Sequence, residues 1–223
     1  MHLPDGFIDT KIAASFLGAA LTFGAFSIAK IKKNILVKNK KFALVTPEGI
    51  NFGSGETMGI SKYGRKLLIN MVLVGSYIFV MQMVDFELVG GQIGHFLGGA
   101  LAGILLGPFA GMIVISIVLA IQAFFMADGG MIALGLNIVN MAVIGAAGGY
   151  YIFTFIRKSV RHRTIAVLLA VFLSVVLAAF AYELESMMTG AIFNPAFIQT
   201  HMIVGLAEGF ITLLMLRAFN FKE

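Results

Sequence analysis

Long apolar stretches constrain this chain more than any other feature. Residues 88–156 carry only His95 and Asp128 as acidic, basic or imidazole side chains. A helix of about 20 apolar residues is enough to cross the hydrocarbon of a bilayer once. The chain of 223 residues is 59% hydrophobic and 12% charged, whereas an ordinary soluble domain is about a quarter charged. Since a soluble protein of this length cannot bury so much apolar surface, the sequence predicts an all-α polytopic membrane protein.

Seven apolar segments predict a bundle of about seven transmembrane helices in a single domain, residues 1–223. They are residues 12–31, 67–84, 93–106, 109–127, 131–156, 164–184 and 197–216. The third segment is short, rich in glycine and alanine, and ends at Gly107-Pro108. We therefore expect a half-buried or tilted helix there. Residues 32–66 form the one sizeable stretch outside the predicted helices, a basic cytoplasmic loop.

The lysines and arginines predict the orientation, because these residues accumulate on the cytoplasmic side of a membrane. If the N-terminus lies outside and the C-terminus inside, residues 32–66, 107–108, 157–163 and 217–223 are cytoplasmic. Of the 16 basic residues, only Lys11 then falls outside. The net charge of +5 thus reflects topology and contact with lipid, and no nucleic-acid partner is expected. We expect a multi-pass protein of a prokaryotic plasma membrane.

The acidic residues show the reverse distribution and fall on or near the predicted outer face. They are Asp5, Asp9, Asp85, Glu87, Asp128, Glu183 and Glu185. An anionic outer surface would concentrate cations by electrostatic focusing. Alternatively, acids are simply what remains after the bases have been placed inside, and the sequence leaves both interpretations open.

Met1 and His2 could offer three nitrogens to a metal ion. Histidine at position two is too bulky for removal of the initiator methionine, so Met1 is expected to keep a free α-amine. That amine, the His2 backbone nitrogen and His2 Nδ1 would form two fused chelate rings, which suit Ni²⁺ or Cu²⁺, with Co²⁺ as a further candidate. Binding would displace protons, so affinity should fall with acid. Cysteine is absent, which excludes thiolate ligands.

His95 is the candidate for a fourth nitrogen. It lies at the predicted outer start of the third segment, on the same side as Met1 and His2. A histidine among glycines and apolar residues near a membrane interface needs a partner or a water-filled cavity. The alternative is an interfacial histidine that is hydrogen-bonded to a backbone carbonyl.

Four further polar side chains could support the metal-binding imidazoles. They are Asn137, Asn140, His201 and Glu208. A metal-bound imidazole usually donates its other N–H to an oxygen. Asn137 and Asn140 lie three residues apart on one helix, and His201 and Glu208 lie two turns apart on another. The alternative is hydrogen bonding between helices, which we prefer for Gln122.

Five stretches of the chain carry distinctive motifs. They are Met-His-Leu-Pro-Asp-Gly-Phe at 1–7, Gly-His-Phe-Leu-Gly-Gly-Ala-Leu-Ala-Gly-Ile-Leu-Leu-Gly-Pro at 94–108, Ile-Gln-Ala at 121–123, Asp-Gly-Gly at 128–130 and Ala-Leu-Gly-Leu-Asn-Ile-Val-Asn-Met at 133–141. Together they resemble the motifs of the CbiM/NikM family, the substrate-capture membrane subunits of energy-coupling-factor transporters for cobalt and nickel. The resemblance covers nearly the whole chain apart from residues 32–66. The chain departs from the family at Gln92-Ile93, where Thr-Ser is usual, and this bears on metal choice and affinity.

The resemblance implies a role in metal import. Met1, His2 and His95 would hold Ni²⁺ or Co²⁺ as the transported substrate, for uses such as cobalamin biosynthesis. The partners would be a transmembrane coupling subunit and ATP-binding-cassette ATPases, and the need for a small accessory membrane subunit stays open.

The sequence contains no Gly-x-x-x-x-Gly-Lys-Ser/Thr phosphate loop, which is the usual nucleotide site of such ATPases. We therefore expect a transport subunit that is not itself an enzyme. Two alternatives belong to other classes: an intramembrane metalloenzyme that uses the ion as a Lewis acid, and a metal-free channel or scaffold.

Overall fold

The computed structural model describes residues 2–40, 44–45, 51–52 and 56–219. Its helices are α1 (Thr10–Ile35), α2 (Lys62–Gln82), α3 (Gly99–Leu106), α4 (Pro108–Met126), α5 (Leu134–Ser159), α6 (Arg163–Met187) and α7 (Pro195–Ala218). Its strands are β1 (Leu36–Lys40), β2 (Leu44–Val45), β3 (Asn51–Phe52), β4 (Glu56–Ile60), β5 (Asp85–Glu87) and β6 (Ile93–His95). Two helices contain wide, π-helical portions, Gln122–Met126 in α4 and Val139–Gly148 in α5.

Six helices in the described part of the chain are long and apolar enough to cross a membrane, all except α3. The chain is therefore an all-α, multi-pass membrane protein, as the sequence predicted. The third predicted segment, 93–106, is helical only over the eight residues of α3. A helix of eight residues is about 12 Å long, less than half of the roughly 30 Å of hydrocarbon. The rest of this predicted segment is non-helical and includes the extended strand β6.

Helix α3 is enclosed by the other helices. Its first six residues, from Gly99 to Ile104, are all buried, and a side chain at Gly103 would collide with the backbone carbonyl of Ala146 on α5. The glycine and alanine content of this segment therefore reflects backbone-to-backbone packing. Non-helical backbone at membrane depth is tolerated where protein surrounds it, and residues 94–98, which lead into α3, are all buried.

The predicted basic loop, 32–66, contains antiparallel strand pairs. β1 pairs with β4 in a register that joins Leu36 to Ile60, and β2 pairs with β3. Extension of α1 to Ile35 and the start of α2 at Lys62 shorten the loop at both ends. The two helices are thus joined by a paired ribbon where the sequence predicted only a loop.

Basic residues mark one end of the bundle. The last turns of α1, α5 and α7 carry Lys32 and Lys33, Arg157 and Lys158, and Arg217, respectively. The N-terminal segment packs at the opposite end, where Leu3 and Ile8 form a small apolar cluster with Ala133 and Leu136. This separation is the one that the positive-inside distribution requires.

Candidate metal site

The N-terminal segment is bound to the start of α5 through Leu3, which is fully buried. The Leu3 N–H donates to Asn137 Oδ1 at 2.9 Å, and Asn137 Nδ2 donates to the Leu3 carbonyl at 3.3 Å. The Gly130 N–H donates to the same carbonyl at 2.8 Å. Asn137 therefore holds the backbone of Leu3, the residue that follows His2 in the chain.

Asp5 binds the same region. Its Oδ1 accepts hydrogen bonds from the backbone N–H groups of Ile132 at 2.7 Å and Ala133 at 3.3 Å. Those N–H groups lie just before α5, where helical N–H groups lack partners within the helix and a negative charge is favourable. No sequence pattern predicted this contact, because Asp5 lies far from α5 along the chain. Residues 3–5 are thus fixed against the loop between α4 and α5.

His2 is held by Asp128, the acidic residue of the Asp-Gly-Gly motif. His2 Nδ1 lies 2.7 Å from Asp128 Oδ1. Burial lowers the pKa of His2, and the hydrogen bond to His2 lowers the pKa of Asp128. Near neutral pH the pair is therefore a neutral imidazole that donates to a carboxylate. Nε2 of His2 then carries the lone pair, and it is buried without a hydrogen-bond partner among the described residues.

His95 faces His2 across the end of β6. The centroids of the two rings are 4.8 Å apart and the ring planes are inclined by 48°. His95 Nδ1 lies 3.0 Å from the Phe96 carbonyl, which can only accept, so Nδ1 carries the proton and Nε2 the lone pair. The two predicted histidine ligands are therefore side by side. Met1, the third predicted ligand, lies outside the described residues.

Glu208 binds the backbone that follows His95. Its two carboxylate oxygens accept the N–H groups of Leu97 and Gly98, the latter at 3.1 Å. The Leu97 carbonyl accepts a hydrogen bond from Gln82 Nε2 at 2.6 Å. Gly98 adopts φ +72°, a conformation that favours glycine, and α3 begins at the next residue. Gln82 had no distinguishing signal in the sequence, since it lies within an apolar helix.

Asn140 and His201 form hydrogen bonds elsewhere. Asn140 Nδ2 donates to Glu185 Oε2 on α6 at 2.7 Å, and His201 Nδ1 bonds to the Phe197 carbonyl of its own helix at 2.8 Å. The structure thus brings Asn137 and Glu208 to the segments that carry the two histidines. The hydrogen bonds of Asn140 and His201 instead join α5 to α6 and lie within α7, respectively.

A cavity of about 580 Å³ opens beside the histidines. His2 and His95 line it together with three acidic residues, Asp85, Asp128 and Glu183, and Gln92 and Ile93 lie on its wall. Within the described ranges no group of three or more His, Cys, Asp or Glu side chains is arranged to hold a metal ion. An ion at the two histidines would therefore need a ligand other than these side chains.

Comparison with known proteins identifies the family. Residues 56–222 match the family model for CbiM, described as the cobalt uptake substrate-specific transmembrane region. The chain is 32% identical over 218 residues to a putative fused nickel transport protein, NikMN, of Archaeoglobus fulgidus, covering 95% of this chain and 63% of that protein. It is 34% identical over 228 residues to a putative metal transport protein of Haloquadratum walsbyi, covering 95% and 86%.

A cobalt transport protein, CbiM, of Acetoanaerobium sticklandii is 32% identical over 174 residues, covering 78% of this chain and 61% of that protein. The chain thus spans less than two thirds of two of these three relatives. The crystal structure of a truncated transition metal transporter superposes with a TM-score of 0.79 at 22% identity, covering 98% of both chains, and that of a second transition metal transporter superposes with a TM-score of 0.78 at 23% identity. The superpositions establish the fold, and the sequence matches establish that the chain belongs to the CbiM family, which confirms the resemblance seen in its motifs.

Proposed function

We propose that this chain is the metal-capturing membrane subunit of an ATP-driven energy-coupling-factor importer and that it takes up Ni²⁺ or Co²⁺ at the outer face. The observation that carries the proposal is the contact between His2 and His95, whose ring centroids are 4.8 Å apart at the edge of an acidic cavity. The relatives' names, which refer to nickel, cobalt and metal transport, support the same choice of substrate.

The proposed ligands are the Met1 α-amine, the His2 backbone nitrogen, His2 Nδ1 and His95 Nε2. Imidazole nitrogens lie about 2.0–2.1 Å from a bound transition metal such as zinc, so two rings at adjacent coordination positions have centroids roughly 4–5 Å apart. The observed ring spacing fits that arrangement. His2 Nδ1 bonds to Asp128, so in the proposed site the imidazole would turn and release this carboxylate to present Nδ1 to the ion.

The acidic residues support capture from the outer side. Asp85, Asp128 and Glu183 line the cavity and would raise the local concentration of divalent cations by electrostatic focusing. The basic residues lie at the other end of the bundle. Uptake against a gradient would use a transmembrane coupling subunit and separate ATP-binding-cassette ATPases, with which this chain would assemble.

The proposal is tested by metal binding to the purified protein. We expect one equivalent of Ni²⁺ per chain, lost in His2→Ala and in a variant with one residue added before Met1. The added residue keeps every side chain but moves the amine. The matched control is His162→Ala, because His162 is an exposed histidine next to α6. This variant should bind Ni²⁺ like the wild type. Unchanged binding in both N-terminal variants, or none in the wild type, would contradict the proposal.

A further inference from the structure

One peptide group lies between His95 and Glu208. The carbonyl of the Phe96–Leu97 peptide accepts the hydrogen bond of His95 Nδ1 at 3.0 Å. The N–H of the same peptide donates to Glu208 Oε1. The imidazole and the carboxylate are therefore connected through a single planar amide, although the two residues lie on different elements, β6 and α7.

These groups are removed from water. His95, Phe96, Leu97 and Glu208 are each no more than 5% exposed. An unpaired amide or carbonyl in such surroundings costs free energy, so the hydrogen bonds on both sides of the peptide hold it in one orientation. A carboxylate on the N–H also polarises the amide and makes its carbonyl a better acceptor. The Nδ1 proton of His95 is thereby fixed.

We propose that Glu208 is a positioning residue for His95, acting through the Phe96–Leu97 peptide. Metal-bound imidazoles commonly donate their second N–H to a carboxylate or a carbonyl, which fixes the tautomer and raises ligand basicity. Here the carbonyl is in direct contact and the carboxylate acts one peptide away. Glu208 keeps the lone pair on Nε2, the nitrogen that would face the ion. This inference rests on the proposed function.

The second oxygen of Glu208 fixes the direction in which the chain enters α3. Oε2 accepts the Gly98 N–H at 3.1 Å, and the Leu97 carbonyl of that peptide accepts Gln82 Nε2 at 2.6 Å. The carboxylate thus accepts hydrogen bonds from two successive peptide N–H groups, one on each oxygen. A side-chain amide has only one oxygen and cannot accept both hydrogen bonds in the same way. A Glu208→Gln substitution keeps the size of the side chain but presents an NH₂ group to one of the two N–H donors.

The test compares Glu208→Gln with Thr212→Val. Thr212 is buried one turn further along α7 and its hydroxyl has no hydrogen-bond partner among the described residues, so its variant controls for altering a buried polar group on this helix. Ni²⁺ affinity is measured by calorimetry, and the His95 tautomer is measured by ¹⁵N NMR of the metal-free protein. We expect Glu208→Gln to weaken Ni²⁺ binding at least about tenfold, as for other residues that support metal ligands. It should also shift the ¹⁵N signals of His95, whereas Thr212→Val changes neither.

The results separate this inference from the proposed function. A wild type that binds no Ni²⁺ refutes the proposed function, while the NMR comparison, which needs no metal, still tests the effect of Glu208 on His95. Unchanged ¹⁵N signals of His95 in Glu208→Gln, or an equal change in Thr212→Val, would overturn the inference. If Glu208→Gln does not fold, NMR of the wild-type protein provides the test. We expect the Nδ1–H tautomer of His95 and a Leu97 amide proton that is shifted downfield by its hydrogen bond to Glu208. An Nε2–H tautomer of His95 would overturn the inference.

Discussion

His2 and Asp128 form one of the contacts that hold the N-terminal end of the structure. The side chain of His2 is only 6% exposed, and its neutral ring donates to a carboxylate that lies beyond the end of α4. The sequence predicted His2 as a ligand, but Asp128 was recognised only as part of a family motif and as an acid on the outer face. The two residues are 126 positions apart in the sequence, and a local sequence pattern cannot predict a contact between residues so far apart.

This pair predicts that acid loosens the N-terminal segment. The folded-state pKa of His2 is lowered, chiefly by burial, so folding disfavours its protonated form and stability is lost as the pH falls below about 6.5, the ordinary value. The pKa of Asp128 is also lowered, chiefly by its bond to His2, so its contribution is present above the ordinary carboxyl pKa and is lost as the pH falls through the lowered value.

Thermal unfolding of the metal-free protein in detergent, measured at pH 7.5 and about 5.5, should show a lower midpoint in acid. The shift should be smaller in His2→Gln, which lacks the imidazole. An equal shift in the two proteins would show that His2 does not contribute to the acid sensitivity.

Among the structural elements, α3 and the extended backbone before it could be predicted least well. Apolar length correctly indicated the six long helices, because a helix that crosses a membrane needs only a continuous run of apolar residues. The short third segment was identified from its glycines and from Gly107-Pro108. Its partners were not, because Glu208 lies 111 positions from Leu97 along the chain. Gln82, on the preceding helix α2, contacts Leu97 only through the fold of the intervening extended backbone. The strand pairs in residues 32–66 were also missed, since polar, glycine-rich sequence carries little pattern.

The tight packing of α3 predicts a strong effect of adding one methyl group. In Gly103→Ala the new Cβ would collide with the Ala146 carbonyl, and overpacking of this kind costs about 1–3 kcal/mol. Gly18→Ala on α1 is the matched control, because its Cβ would meet no atom within 4 Å and alanine favours helix.

Unfolding in denaturant should therefore show Gly103→Ala less stable than the wild type and Gly18→Ala equally or more stable. Equal stability of the two variants would mean that α3 does not pack against α5 as described.

At the scale of the whole molecule, the charges divide the bundle into a basic end and an end that carries the cavity. The lysines and arginines predicted this division, because the positive-inside distribution depends only on where these residues lie along the chain relative to the apolar segments. The cavity could not be predicted in this way. It is built from residues of the N-terminal segment, the β5–β6 region, the loop after α4 and the region between α6 and α7, which only the folded chain brings together.

The orientation can be tested with single cysteines, because the natural sequence has none. Ile192→Cys, at a position 91% exposed beside the cavity, should react with a membrane-impermeant maleimide added to intact cells. His162→Cys, in the exposed turn between α5 and α6, should react only after the membrane is permeabilised. The opposite pattern would place the cavity on the cytoplasmic side.

We propose that the N-terminus and His95 bind one transition-metal ion. X-ray absorption at the nickel K-edge of the purified, Ni²⁺-loaded protein tests it most directly, since the spectrum reports coordination number, ligand type and geometry. We predict a square-planar ion with four nitrogen ligands, two of them imidazoles, and loss of this spectrum when one residue precedes Met1. A six-coordinate site of oxygen ligands, or an unchanged spectrum in that variant, would contradict the claim.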